Sequence, residues 1–377
     1  MKKREEWIDL AKTLTMILVI IGHSTYYNYT TPYGNFSFMD YSIVGTSAAR
    51  ELTRMLVGFI YAFHMPFFMA LSGMTFALSH KPEKPFGKLA RSKARRLLIP
   101  FVTVTLFMNI PILYMAGWWD NSTNLLYDIF MDQFFHMGNS HLWFILSLFW
   151  ITLTFACLLK LHFRPNVLFW GLCVAGFFAG CIIQQKGGYF GITGAIKQFI
   201  FFALGFFTYR YTKHLDIRWP YIILSWTGMA GAHLILSFTG SDYNYYITLL
   251  LSLLLAIWGC INMTITARAM LRPFRGRPDA RRGNATVGGG IYLLFNQLSK
   301  HSYDLYLYSN PFNFLIIPVF MLVFGDAVIS DNLICFAAFI IRIIGAFIFS
   351  YVIILGLAFA KRVFYGSGRP MRKAGAQ

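Results

Sequence analysis

Long apolar segments separated by short polar stretches run through most of the chain. A helix that crosses the hydrocarbon layer of a membrane needs about 20 mostly apolar residues. Ten segments meet this requirement, and they predict an all-α integral membrane protein, a bundle of about ten transmembrane helices. The segments are residues 10–28, 55–78, 97–115, 142–161, 167–183, 192–211, 219–238, 245–266, 303–324 and 333–359.

Two of the ten segments have features that could argue against a membrane span. The segment at 192–211 is the weakest, because Lys197 interrupts it and must either extend to the membrane surface or face the interior. The first segment is not expected to be a cleavable signal peptide, since no small-residue cleavage site follows it. Tyrosines that suit the membrane interface come next instead, at positions 26, 27 and 29.

The distribution of basic residues predicts how the chain is oriented in the membrane. Only 13% of the residues are charged, about half the share in a soluble domain, yet the formal net charge is +18. A basic soluble nucleic-acid-binding protein is excluded, because too few polar positions remain to cover its surface. Of the 33 Lys and Arg residues, 27 lie in the two tails and in alternate loops, which predicts that this side and both termini are cytoplasmic. An even number of spans agrees with that orientation.

The whole chain, residues 1–377, is expected to form a single transmembrane domain. Its cytoplasmic parts are the tail 1–9, a basic loop 267–301 and the tail 361–377. Glycines and prolines in the loop indicate a flexible connector. All five cysteines fall in apolar segments without the spacing of a zinc site, so no metal site is predicted.

Ionisable residues inside predicted spans are costly to bury and therefore point to function. Lys12 and His23 are eleven residues apart, which returns the helix to within about 20° of the same direction and separates the two residues by about 16 Å. Asp9 precedes Lys12 by three residues and is placed to pair with it. The alternative for this stripe is a lysine that extends to the surface and a histidine that only makes structural hydrogen bonds.

His64, in the oppositely directed second span, is expected at a depth similar to that of His23. Pro66 removes a backbone hydrogen bond beside it and is expected to open polar groups to a cavity. Two imidazoles at one depth suit proton transfer, and His233 is a weaker candidate to join them. Arg342, in the last span, needs a carboxylate, a group of carbonyls or an anionic ligand. We favour a water-filled cavity around Arg342 over a structural ion pair.

A basic cluster precedes the third span, with Arg91, Lys93, Arg95 and Arg96 within six residues. Positive-inside topology alone explains such a cluster. Contact with the phosphates of a nucleotide is the sharper alternative, because guanidinium groups pair well with phosphate.

With these residues in place, the chain resembles the acyltransferase-3 family of bacterial polytopic membrane acyltransferases along nearly its whole length. The similar motifs are KTLTMILVIIGH from Lys12 to His23, HMPFFMALSG from His64, KARR ending at Arg96, HLWFIL from His141, and SYDLYLYSNP from Ser302. Lys93 stands where an arginine is common in the family, and Ser309 and Asn310 occupy the neighbourhood of its late histidine.

The resemblance implies a multi-pass enzyme of the inner (cytoplasmic) membrane, an O-acetyltransferase. It would move an acyl group, usually acetyl, from acyl-CoA as co-substrate to a hydroxyl of a surface polysaccharide or glycolipid precursor. No bound cofactor is implied, and the partners are acyl-CoA, the acceptor and the lipid bilayer. Acceptor selection is expected in the outer loops 29–54 and 116–141.

Site residues follow from the same resemblance. His23 is expected to act as general base, and His64 to orient the acceptor or to stabilise the oxyanion. Direct transfer and a covalent acyl-histidine intermediate are both compatible with this pair. Lys12, Lys93 and Arg96 are the donor-binding candidates. Further candidates are Asp9, His141, Trp143, Ser302, Tyr303 and Arg342.

A different class of function competes with the enzyme. A polytopic transporter or a lipid-linked glycan flippase would also place polar residues in its spans, to line a pathway without chemistry. Such a protein is expected to have paired discontinuous helices and would not need a stripe that joins a basic residue to a histidine.

Overall fold

A computed structural model describes most of the chain. The described residues are 5–25, 47–81, 83, 85–120, 122–136, 141–161, 163, 165–184, 188–212, 215–239, 244–272 and 295–365. Regular secondary structure in these ranges is helical throughout, so the predicted all-α bundle is confirmed. The interfacial tyrosines at 26, 27 and 29, most of the basic loop and the end of the C-terminal tail lie outside the described residues.

Twelve helices are numbered here in chain order within the described residues. They are α1 Glu6–His23, α2 Ala48–Ser79, α3 Phe86–Met115, α4 Leu125–Phe130, α5 Trp143–Lys160, α6 Val167–Gln184, α7 Ile192–Thr212, α8 Trp219–Thr239, α9 Tyr245–Met270, α10 Ser302–Phe324, α11 Ala327–Ser330 and α12 Asn332–Tyr365.

Nine of these helices are long and apolar enough to cross a membrane, namely α2, α3, α5 to α10 and α12. The remaining predicted span corresponds to α1, which has 18 residues and three charged side chains, Glu6, Asp9 and Lys12. Its charge lies in the first two turns, so its apolar part is shorter than that of the other nine. The cytoplasmic placement of both termini stays a prediction.

Helical structure is found outside the predicted apolar segments at several places. Helix α2 begins seven residues before position 55, and α3 begins eleven residues before position 97. The added turns are charged, which ends a hydropathy signal although Glu, Lys and Arg are good helix formers. Helix α4, continued by a π-helical turn at Met131–Phe135, lies in what the sequence predicts to be an outer loop. The apolar pattern does not predict this short helix, which lies between two predicted spans.

The start of α2 has a specific cap. The hydroxyl of Ser47 accepts a hydrogen bond of 3.1 Å from the backbone N–H of Arg50, and it donates one of 2.8 Å to the carbonyl of Ile329. A serine in this position satisfies an N–H that the helix itself leaves unpaired. As a result His64 lies at the middle of a 32-residue helix rather than near one end.

Helices α2 and α7 cross at the centre of the bundle. A Cβ added to Gly73 would lie 2.0 Å from the carbonyl oxygen of Phe202, and one added to Gly205 would lie 2.0 Å from that of Ala70. The two backbones therefore touch, and only glycine fits at either position. Small residues allow such a close approach of two helices within a membrane.

The outside of the bundle is apolar. Large hydrophobic side chains are exposed on most of the long helices, among them Leu322 at 89% and Phe107 at 81%. A soluble protein rarely exposes so much contiguous apolar surface. These side chains face the position that lipid occupies around a membrane protein.

Candidate active site

A cavity of about 580 Å³ lies inside the bundle, between α1, α2, the start of α5 and the helices α6 to α10. Two residues predicted to be catalytic, His23 and His64, line it together. The polar side chains of its lining are His23, Tyr61, His64, His141, Trp143, Gln184, Lys197, Gln198, His233, Ser237, Thr248, Ser252 and Tyr306. The structure thus brings four histidines from four different parts of the chain to one space.

Tyr61 connects the two predicted catalytic histidines. Its ring centroid is 6.4 Å from that of His23 and 4.8 Å from that of His64, with both pairs edge to face. Its hydroxyl reaches the carbonyl of Gly22 at 3.5 Å. Tyr61 lies three residues before His64 on α2, so the two side chains occupy one face of the helix.

The imidazole of His64 has a defined tautomer. It is buried, and its Nδ1 lies 2.9 Å from the carbonyl oxygen of Ile60. A carbonyl can only accept, so Nδ1 carries the proton and Nε2 of the neutral ring has the lone pair. Pro66 lacks an N–H, and the carbonyl of Ala62, another cavity-lining residue, therefore has no donor four residues along the helix.

His141 is held between the start of α5 and α10. Its Nε2 donates to the carbonyl of Leu307 at 3.1 Å, and the hydroxyl of Tyr306 donates to the carbonyl of His141. Burial lowers the pKa of His141 to about 3, with the nearby His23 as the second cause. The ring is thus neutral at neutral pH, and its Nδ1 is an acceptor.

The backbone around His23 is fixed by Arg342, which is fully buried. The Nη2 of Arg342 donates to the carbonyl of His23 at 2.9 Å, Nη1 to that of Thr25 at 2.6 Å, and Nε to Oδ1 of Asn313 at 2.8 Å. The last carbonyls of a helix have no partner within the helix and carry its negative dipole end, which suits a guanidinium.

This arrangement corrects the expectation for Arg342. Its side chain is buried and does not line the cavity, so the favoured water-filled cavity around Arg342 is wrong. Of the partners considered from the sequence, a group of carbonyls is the one that the structure provides.

The imidazole of His23 differs from those of His64 and His141. Among the described residues, no hydrogen bond reaches either of its ring nitrogens, and the side chain is partly exposed where it lines the cavity. The other two rings each commit one N–H to a backbone carbonyl. Of these three histidines, His23 is therefore the one that is most free to take up and release a proton.

The donor-binding candidate on α1, Lys12, lies away from this cavity. Lys12 is on the same helix as His23, and its Nζ is 4.0 Å from Oδ1 of Asp9, which confirms the predicted pair. Neither Lys12 nor Asp9 lines the cavity.

The basic residues of α3 also lie elsewhere. Lys93 lines a separate small cavity of about 70 Å³ together with Lys81 and Lys160. Its Nζ is 5.6 Å from the ring centroid of Phe76. The phenol of Tyr303 donates to the backbone carbonyl of Arg96 at 3.0 Å, which joins α10 to α3. These contacts place Lys93 and Arg96 outside the histidine-lined cavity.

The predicted tyrosine of α10 is one turn from the residue that lines the cavity. Tyr303 contacts α3, and the hydroxyl of Ser302 donates to the carbonyl of Ser299 at 3.2 Å. Tyr306 is the tyrosine whose ring lies 5.6 Å from that of His141. Three tyrosines within six residues did not indicate from sequence which one faces inward.

Other polar residues of the cavity were not predicted as site residues, among them Tyr61, Lys197 and Gln198. Tyr61 carried a signal, since it lies one turn from His64 on a predicted helix. Lys197 carried a stronger one, because it interrupts an otherwise apolar span. Gln198 carried none, since a single glutamine in a span is compatible with simple helix packing.

The chain matches a known protein family. A family model described as an acyltransferase domain matches residues 5–358, which is nearly the whole chain. No curated protein and no solved structure matches the chain.

Proposed function

Since the chain belongs to the acyltransferase-3 family and is a multi-pass membrane acyltransferase, we propose that it is an acetyl-CoA-dependent O-acetyltransferase of the inner membrane. Its acceptor is a hydroxyl of a cell-surface polysaccharide or a glycolipid precursor. The observation that carries this proposal is the convergence of His23, His64 and His141 on one cavity of about 580 Å³, a volume typical of ligand sites.

His23 is the general base in this proposal. An unprotonated ring nitrogen of His23 removes the proton of the acceptor hydroxyl as its oxygen attacks the thioester carbonyl. The new C–O ester bond forms and the C–S bond of acetyl-CoA breaks. The proton on His23 then passes to the departing thiolate, so the products are the acetyl ester and CoA. The unengaged imidazole of His23 supports this role over the same role for His64 or His141.

His64 orients the acceptor. Its neutral ring has used its N–H on Ile60, so its Nε2 accepts a hydrogen bond and has no proton to offer an oxyanion. Of the two roles considered from sequence, the tautomer favours orientation. The indole N–H of Trp143 makes no hydrogen bond to the described residues, lines the same cavity and is a donor only, which suits it to the oxyanion.

The basic residues at the predicted inner end serve the donor. Lys93 and Arg96 lie one turn apart on α3, and Lys12 precedes His23 by eleven residues on α1. We place the nucleotide portion of CoA near these three cations and its thioester at the cavity. Their positions outside the cavity support a division between the charged end of the donor and its reacting end.

The proposal is tested by the acyl groups that depend on the chain. Polysaccharide and lipid fractions from cells with the gene and from cells deleted for it are compared by mass spectrometry before and after mild alkali. We expect an alkali-labile acetyl mass that disappears on deletion and returns with the gene. If no ester on any fraction changes, the enzyme proposal is wrong, and a transport role becomes the better account.

A further inference from the structure

One wall of the cavity is not used by the proposed chemistry. Its polar groups come from α6 and α7, and they are Gln184, Lys197 and Gln198. Of the described lining residues, Lys197 is the one with a permanent charge. A cation inside a membrane-embedded bundle is costly and calls for a partner.

The partners that the structure provides for Lys197 are weak. Its Nζ donates to Oε1 of Gln184 at 2.9 Å, a neutral acceptor at the exposed end of α6, and the thiol of Cys181 is a second neutral neighbour. No carboxylate lies within ion-pair distance of Lys197 among the described residues, whereas Lys12 and Arg54 each have one. The ammonium therefore retains most of its capacity to bind an anion.

Gln198 supplies an independent sign of a ligand. Its side chain is 5% exposed, and its Oε1 accepts no hydrogen bond from the described residues although it lines the cavity. A buried acceptor without a donor costs about 1–3 kcal/mol, so such atoms are rare unless something else supplies the donor. A sugar hydroxyl is a donor that suits an amide oxygen.

We propose that Lys197 and Gln198 form an acceptor subsite for a glycan that carries an oxyanion, either a sugar carboxylate or a phosphate, close to the hydroxyl that is acetylated. The inference rests on the proposed function. Lys197 binds the anion, and Gln198 accepts a hydrogen bond from a neighbouring hydroxyl, while the histidines contact the hydroxyl that reacts. Both residues lie within two turns of the start of α7 at Ile192, at the end of the bundle that the charge pattern predicts to be external.

The first test identifies the glycan. In cells with and without the gene, the fragment that gains the acetyl group is sequenced by tandem mass spectrometry. A carboxylate or a phosphate on the acetylated sugar or on its neighbour supports the subsite, and a neutral sugar among neutral neighbours overturns it. Absence of any gene-dependent acetyl group instead contradicts the proposed function, so the two failures are distinguishable.

The second test isolates the charge. The acceptor is the glycan fraction from deleted cells, used untreated, after carboxyl reduction or after dephosphorylation, with purified full-length protein and acetyl-CoA. Relative to wild type, K197Q is expected to raise KM for the untreated acceptor about 10- to 100-fold, the loss of a charge-assisted hydrogen bond. Its kcat and its KM for acetyl-CoA should be unchanged, and K197R should restore most of the acceptor affinity. Whichever treatment removes the difference between wild type and K197Q identifies the anion.

The matched control for this experiment is Lys300→Gln. Lys300 also donates to a glutamine Oε1, that of Gln297 at 3.4 Å, but it is exposed and far along the chain from the cavity. We expect K300Q to leave KM unchanged. The subsite is contradicted if K197Q and wild type share one KM for the untreated acceptor, or if K197Q lowers kcat equally for treated and untreated acceptors.

Discussion

The guanidinium of Arg342 donates a hydrogen bond of 2.9 Å to the backbone carbonyl of His23. Arg342 comes from α12 and His23 ends α1, so this contact joins the last helix to the first. The same side chain also binds the carbonyl of Thr25. The charge of Arg342 thus acts on the backbone that carries the His23 side chain, and we propose that Arg342 positions this histidine.

Substitution of Arg342 is expected to lower kcat more than substrate affinity. R342M leaves the carbonyls of His23 and Thr25 buried without donors, which costs about 1–3 kcal/mol for each group. R342K retains the charge, but one ammonium cannot reproduce the guanidinium fork, so we expect an intermediate effect. Thermal unfolding and steady-state kinetics of the purified protein measure both changes, with KM for acetyl-CoA expected to stay the same.

The control for Arg342 is R54M. Arg54 forms an exposed ion pair with Glu51 at 2.7 Å, and such a pair contributes little to stability. If R342M folds and keeps the wild-type kcat, Arg342 does not position His23.

Two substitutions at His64 separate its two ring nitrogens. The shorter side-chain amide introduced by H64N approximates the Nδ1 donor to Ile60, whereas the longer one introduced by H64Q lies near the position of Nε2. If Nε2 orients the acceptor, H64N should keep its melting temperature and lose activity, and H64Q should lose stability but keep more activity. Equal activity of the two variants at equal protein level would argue against this assignment.

We expect the melting temperature to fall as the pH is lowered, and we expect protonation of His141 to cause part of this fall. Its pKa of about 3 in the folded state lies below the usual 6.5. The unfolded chain therefore binds a proton that the folded chain does not, and stability is lost as the pH falls below 6.5. One such group contributes a slope of about 1.4 kcal/mol per pH unit.

His141→Gln provides the comparison for this pH dependence. It keeps a donor near Leu307 and cannot titrate. We expect the melting temperature of wild type to fall more between pH 8 and pH 5 than that of H141Q. Parallel curves for the two proteins would show that His141 is not the titrating group.

The α2–α7 crossing gives a prediction about stability alone. A methyl group at Gly73 meets the backbone of Phe202, and overpacking of this kind costs about 1–3 kcal/mol. G73A should therefore melt several degrees lower than wild type. Gly171 on α6 has no heavy atom within 4 Å of an added Cβ, so G171A should melt at or slightly above the wild-type temperature. The reverse order would mean that the two helices do not touch there.

Hydrophobic length predicted ten spans, and nine of them correspond to helices of the described residues that are long and apolar enough to cross a membrane. The signal is strong because each such helix must satisfy its own backbone within the membrane. The same signal misplaced the starts of α2 and α3, since charged residues end an apolar run without ending a helix. It also missed α4, which has only six residues before its π-helical turn.

The cavity residues that could be predicted from the sequence are those that are costly to bury in a membrane. His23 and His64 are titratable groups in apolar runs, and Lys197 interrupts one. Tyr306 and Gln198 were not predictable as site residues, because tyrosine and glutamine occur in spans for many reasons. The contact from Arg342 to the end of α1 joins residues 319 positions apart, and no local pattern encodes such a distance.

The most direct test of the central claim is the ester-linked acetyl content of the glycan fraction from deleted cells that carry wild type, His23→Ala or His301→Ala. Mass spectrometry measures the acetyl content, and immunoblotting of membranes normalises it to protein level. Loss of a general base typically lowers a rate by about 10²–10⁴, so H23A should fall to the level of deleted cells while H301A matches wild type. An H23A protein that is present at the wild-type level and restores the full acetyl content would contradict the account.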